Sequence, residues 1–151
     1  MDKTLDDYDR AILRVLSALG RVSFTELAGR INLSNTPTQA RVKRLEQVGI
    51  ITGYRAILDP VKLGLDHIAF VEVKLVDTRE AALTAFNEAA RAVPEIEECH
   101  MTASHFDYLL KVRTSDMRAY RKVLGELISA LPHVSNTSTH VVMEAVKEEM
   151  L

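Results

Sequence analysis

Residues 98–110 read ECHMTASHFDYLL. The stretch holds the only cysteine of a 151-residue chain, Cys99, beside His100, His105 and Asp107. Two readings compete: a cluster of thiol or metal chemistry, or a hairpin whose strands meet at Ser104-His105. The flanks decide. Upstream, HIAFVEVKLV (67–76) is a strand by its β-branched and aromatic content. REAALTAFNEAARAV (79–93) is a helix with Leu83, Phe86, Ala90 and Val93 on one face, and EIEECHMTA (95–103) is a strand. Downstream the order recurs. FDYLLKVRT (106–114) is a strand, the next helix carries Met117, Tyr120, Leu124, Leu127 and Leu131 as its stripe, and HVSNTSTHVVMEAV (133–146) closes as a strand. The helix exits match at a shift of 38 residues, Ala92-Val93-Pro94-Glu95-Ile96 against Ala130-Leu131-Pro132-His133-Val134. Two βαβ halves make βαββαβ, a ferredoxin-like arrangement with 98–110 as its central hairpin.

That placement weakens the chemical reading. Alternation along a strand puts Cys99 and His100 on opposite faces, so they cannot form a nucleophile–base pair. A zinc site needs three or four converging ligands, and the spacing shows no such pattern. Cys99 is expected to be a small buried residue. His105 and Asp107 lie within reach of a shared hydrogen bond. Asp107 itself has two readings, a turn-capping carboxylate or a ligand contact.

The first sixty residues are a separate unit of short helices. Leu5, Ile12, Leu16 and Leu19 recur at helical spacing until Gly20. Ser23-Phe24-Thr25-Glu26 has the form of a capping box, followed by Leu27, Ala28 and Ile31. After the turn Asn32-Leu33-Ser34 a third helix begins. Either Ser34 caps it, or Thr36 does with Pro37 at the first helical position. Val42, Leu45 and Val48 form its apolar face, and Gly49 ends it. IITGYRAILDP (50–60) suggests a strand or small wing. The sequence thus predicts an α+β chain: an N-terminal winged helix-turn-helix over 1–59, a hinge at 60–66 and a ferredoxin-like domain over 67–151.

A helix-turn-helix places its second helix in the major groove of double-stranded DNA. Short polar side chains suit base edges and phosphates, and Ser34, Asn35, Thr36, Thr38 and Gln39 supply them; Arg41, Lys43 and Arg44 supply cations for phosphate. Arg44 also has a plainer reading, an ion pair with Glu46 or with aspartates of the first helix. Net charge is −2 overall, yet residues 30–55 hold Arg30, Arg41, Lys43, Arg44 and Arg55 against Glu46 alone, a local basic patch. One cysteine excludes an internal disulfide and fits a reducing cytoplasm. The acidic N-terminus lacks the apolar run of a signal peptide, and no stretch approaches the ~18 apolar residues of a membrane span. A cytoplasmic protein without cofactor is expected.

The stretches LDDYDRAIL (5–13), GRVSFTELAGRINLSNTPTQARVKRLEQVGIITGYRAILDP (20–60), EIEECHMTASHFDYLLKV (95–112), DMRAYRKVLGELISALPHV (116–134) and THVVMEAVK (139–147) occur in that order. Together they resemble the leucine-responsive regulatory protein/AsnC family of transcription regulators, over about residues 4–148. The resemblance implies a sequence-specific DNA-binding regulator, a homodimer formed through the sheet and often assembled to an octamer. It also implies a small effector, usually an amino acid, near the central hairpin loop. Carried over residue by residue, it implies effector contacts at Met101, Asp107, Met117, Val141 and Val142. His140 stands where close relatives carry tyrosine. Ser104 and His105 occupy the loop where the family usually places a glycine first, a departure that implies another turn or another ligand pose. Two other classes remain as alternatives: a small-molecule-sensing oligomeric module without DNA binding, and a thiol or metal enzyme on 99–107.

Overall fold

The computed structural model describes residues 5–148. The chain divides into two compact units, with the boundary between Leu58 and Asp59.

The N-terminal unit holds α1 (Asp7–Leu19), α2 (Phe24–Arg30) and α3 (Asn35–Gln47). Each start has a local cause. Asp6 caps α1: its carboxylate accepts from the Asp9 N–H at 2.8 Å while Asp9 accepts from the Asp6 N–H, a reciprocal box. Gly20, at φ 59°, ends the helix in a conformation that side chains disfavour. Ser23 Oγ accepts from the Glu26 N–H and caps α2. The box is only half formed, because the Glu26 carboxylate turns to Arg30 at 2.9 Å. The turn into α3 passes through Asn32 at φ 54°, a left-handed position that asparagine tolerates. Ser34 is the N-cap residue of α3, which puts Pro37 in the first turn. Ile12, Leu27, Ile31, Val42 and Leu45 fill the core, each contributing about 1.5–3 kcal/mol by burial. Residues 51–58, expected as strand or wing, form no strand pairing among the described residues. A strand needs a partner ladder, and this unit offers none.

The C-terminal unit runs β1 (His67–Leu75), α4 (Glu80–Arg91), β2 (Ile96–Met101), β3 (Tyr108–Thr114), α5 (Met117–Val123) and β4 (Val134–Val141). The sheet order is β2-β3-β1-β4, antiparallel throughout, which is the ferredoxin-like topology the repeat predicts. Ala69, Val71, Val73, Leu75, Leu110 and Val112 face α4 and α5 and meet Phe86, Ala90, Tyr120 and Ile128. The other face carries Ile68, Phe70, Glu72, Leu109, Lys111 and Arg113. There Lys111 and Arg113 share Glu97 and Glu148.

One helix departs from its expected stripe. After Val123 the backbone makes a π-turn, Leu124–Ile128, closed by Ser129 N–H donating to the Leu124 carbonyl at 2.9 Å. A π-turn carries an extra residue, so the stripe slips by one. Ile128 is fully buried where the spacing predicts Leu127, and Leu127 is 38% exposed.

Candidate nucleic-acid interface and effector site

On α3 the expected DNA-reading residues separate into two faces. Ser34, Asn35, Thr36, Gln39 and Lys43 are exposed. Asn35, Gln39 and Lys43 follow at four-residue spacing and share one face. The row is ordered: Asn35 Nδ2 donates to Thr25 Oγ1 at 3.2 Å, and Gln39 Nε2 donates to Asn35 Oδ1 at 2.8 Å. The Ser34 hydroxyl makes no capping bond, and Lys43 makes no ion pair among the described residues.

The other residues are committed to partners within the unit. Thr38 is fully buried and its hydroxyl donates to the Ser34 carbonyl at 2.9 Å, so the reading of Thr38 as a base contact is corrected. Its side chain falls on the same face as Val42 and Leu45. Arg41 and Arg44, expected on phosphate, both reach back to α1. Arg41 Nη1 lies 2.6 Å from Asp6 Oδ2 and 2.9 Å from Asp9 Oδ1; Arg44 Nη2 lies 2.5 Å from Asp9 Oδ2. The plainer reading of Arg44 therefore holds, with Asp9 rather than Glu46 as partner. Burial pushes the Asp9 carboxyl up, but Arg44, the Asp6 N–H and Arg41 outweigh it and leave it below the usual carboxylate range. Sequence reasoning offered first-helix aspartates as partners of Arg44 alone and did not single out Asp6 and Asp9. The signal was Asp6-x-x-Asp9 at a helix start, charges one turn apart ahead of Ile12.

The hairpin loop is built without a left-handed residue at Ser104 or His105. Ser104 Oγ and His105 Nδ1 are 3.2 Å apart, and the His105 ring meets Phe106 edge-on at 5.0 Å. Thr102 Oγ1 donates to the Phe106 carbonyl. The departure from glycine is thus met by another turn. Asp107 serves the backbone: its Oδ2 accepts from the Leu75 N–H at 2.7 Å, where the β1–β4 register slips, and its own N–H donates to the Val73 carbonyl. His105 and Asp107 do not pair; His105 Nε2 instead lies 3.5 Å from Glu72 Oε2. His140, on the helix-free face, places Nε2 3.2 Å from Glu72 Oε1. Glu72 between two imidazoles escaped sequence reasoning, because only strand pairing brings 72, 105 and 140 together.

The carried-over effector residues do not form one cavity within a chain. Met101 pairs in register with Tyr108, at the level of Val73, while Val141 pairs with Ala69. Four residues along the strands span about 13 Å, and three strand spacings between β2 and β4 add about 14 Å laterally. Ser104, His105 and Asp107 belong to the Met101 end. Met117, at the start of α5, and Val142, which donates to the Ile68 carbonyl, belong to the other end. Met101, Met117 and Val141 are 57%, 48% and 48% exposed.

Cys99 faces the helices beside Leu110, and His100 the opposite face beside Leu109, as alternation requires. The expectation that Cys99 is buried is corrected: it is exposed, because β2 is an edge strand. Partial desolvation pushes its thiol up, with Arg91 opposing, the reverse of an activated nucleophile. Among the described residues no cluster of histidine, cysteine and carboxylates is arranged to hold a metal. No helix of the described chain is long and apolar enough to cross a membrane.

Comparison with known proteins matches this arrangement. Residues 5–52 match the winged helix-turn-helix DNA-binding family, and residues 68–151 match the Lrp/AsnC ligand binding domain. The chain is 63% identical over 144 residues to a proline dehydrogenase transcriptional activator of Rhizobium radiobacter, covering 95% of this chain and 92% of that protein. It is similar to the crystal structure of an AsnC family transcriptional regulator from Agrobacterium tumefaciens, with TM-score 0.93, 30% identity, and 97% and 95% of the two chains covered. It is also similar to the L-Met complex of a transcriptional regulator from Neisseria meningitidis, with TM-score 0.90, 32% identity, and 97% and 94% covered. These relatives are transcriptional regulators, not enzymes. With a DNA-binding helix-turn-helix at one end and a ligand-binding ferredoxin-like unit at the other, the chain belongs to the Lrp/AsnC family of transcriptional regulators.

Proposed function

We propose that α3 reads operator DNA through Ser34, Asn35, Thr36, Gln39 and Lys43, and that an amino-acid effector bound by residues 67–151 controls that reading. The exposed polar row on α3 supports the first part. Its amides suit base edges, and its one unpaired cation suits phosphate. The domain division is 1–59 for DNA, 60–66 as hinge and 67–151 for effector and assembly.

The separation of the effector residues supports a site shared between copies. Two ends of a sheet more than 13 Å apart by the spacing above cannot both touch one amino acid. The loop of one chain (Met101, Ser104, His105, Asp107) and the far end of another (Met117, Val141, Val142) can. His140, held to Glu72, links the loop to the sheet. A homodimer through the helix-free sheet face, assembling to an octamer, brings such ends together. Ligand then shifts assembly or DNA geometry only by its differential affinity for the two arrangements.

The name of the Rhizobium radiobacter relative supplies a candidate target, a proline dehydrogenase gene; proline, that enzyme's substrate, is our candidate effector. A DNA target and a free amino-acid effector fit a cytoplasmic protein. The test is a thermal-shift screen with L-proline, L-leucine and L-methionine, followed by footprinting upstream of the proline dehydrogenase gene. One amino acid raising the melting temperature and altering the footprint or the size by light scattering supports the proposal. A footprint and size unchanged by every amino acid overturns the coupling.

A further inference from the structure

Asp9 is 1% exposed and faces two arginines. Arg41 and Arg44 are the cations nearest Lys43 on α3, and both are bound to carboxylates of α1. Arg41 also lies over the Tyr8 ring at 5.3 Å. Two guanidiniums thus meet two carboxylates, Asp6 and Asp9, and the group is neutral. The Asp6 carboxyl is held below its ordinary range by the Asp9 N–H and then by Arg41.

Stability alone does not explain this arrangement. A buried ion pair contributes little over well-packed apolar side chains, because desolvating the charges offsets their attraction. Every cation that neutralises a phosphate releases counterions and adds affinity for any sequence. Arginines committed to carboxylates add much less.

We propose that Asp6 and Asp9 are specificity-determining residues for DNA recognition: they hold Arg41 and Arg44 neutralised, so sequence-independent attraction at α3 stays low and the polar row decides affinity. The inference rests on α3 being the reading helix. Asp6 and Asp9 touch no DNA and act through the arginines, as positioning residues.

The test compares parent, Asp6→Asn, Asp9→Asn and Asp7→Asn by fluorescence anisotropy on an operator duplex and a scrambled duplex across a salt series. Asparagine caps a helix as well as aspartate, so Asp6→Asn keeps the α1 cap. Asp7 is exposed and makes no ion pair among the described residues, so Asp7→Asn changes net charge without touching the arginines. For each guanidinium released per copy, the slope of log K against log salt steepens by about 0.9, about a threefold greater loss of affinity between 50 and 200 mM salt. Asp6→Asn and Asp9→Asn are expected to bind the scrambled duplex more tightly, with steeper slopes and a reduced operator-to-scrambled ratio; Asp7→Asn stays at the parent's slope. Equal loss on both duplexes with an unchanged slope overturns the inference and leaves Asp9 a strut. So does an equal steepening in Asp7→Asn. If Asp9→Asn is unfolded by circular dichroism, Asp6→Asn, at a residue whose side chain is 51% exposed, decides alone. A parent that binds neither duplex refutes the reading helix instead.

Discussion

Replacing Asp107 by alanine separates a carboxylate that builds the loop from one that only meets ligand. Asp107 Oδ2 accepts the Leu75 N–H at 2.7 Å, and Leu75 is 6% exposed. Alanine removes a charge-assisted bond and leaves that N–H without its acceptor, in a place water reaches poorly. A hydrogen bond to a charged group contributes roughly 1.5–3 kcal/mol, and a stranded buried donor costs about as much. A loss of about 2 kcal/mol is expected. In a unit of this size each kcal/mol lowers the melting temperature by about 4–8 °C. Asparagine keeps an acceptor oxygen and is expected to lose under about 1 kcal/mol. The assay is urea denaturation without effector, at one protein concentration so that assembly does not shift the midpoint. An Asp107→Ala variant within about 0.5 kcal/mol of the parent refutes the reasoning and assigns the carboxylate to ligand alone.

Three other perturbations test separate parts of the structure. Ile128→Ala is expected to cost about 2–5 kcal/mol and Leu127→Ala under about 1, and the reverse order by denaturation rules out the π-turn. Asp6 and Asp9 have folded pKa values below the unfolded carboxylate value of about 4. Their stabilisation is therefore complete above that value and is lost as pH falls through the folded pKa values. Melting curves of the parent should drop more steeply in acid than those of Asp9→Asn, and parallel profiles contradict the pairing. Cys99 is exposed, but its thiol is pushed up, so alkylation at neutral pH should run slower than that of free cysteine; a faster rate contradicts its environment.

The fold was legible because its signals are local and repeated. The two Pro-marked helix exits and the strand alternation required the ferredoxin-like sheet, and the polar start of α3 marked the second helix of the helix-turn-helix. What escaped depends on distant partners. Periodicity assumes a regular helix, so it could not anticipate the slip at Leu124–Ile128. Whether Cys99 is covered depends on the strand order, which makes β2 an edge. The charges of Arg41 and Arg44 were plain, but their commitment to Asp6 and Asp9 is a contact between residues more than thirty positions apart. The same holds for Glu72 with His105 and His140. At the candidate site, then, the residue types were readable, and the direction in which each side chain turns was not.

The most direct test of the central claim is the affinity of the parent protein for DNA upstream of a proline dehydrogenase gene, measured against a scrambled duplex over a salt series with Gln39→Ala and Lys43→Ala alongside. The account predicts preference for the upstream DNA and affinity that falls steeply with salt. Gln39→Ala should lose preference, and Lys43→Ala should weaken both duplexes alike with a shallower slope. No binding at low salt, or binding that neither salt nor these two substitutions alter, contradicts it.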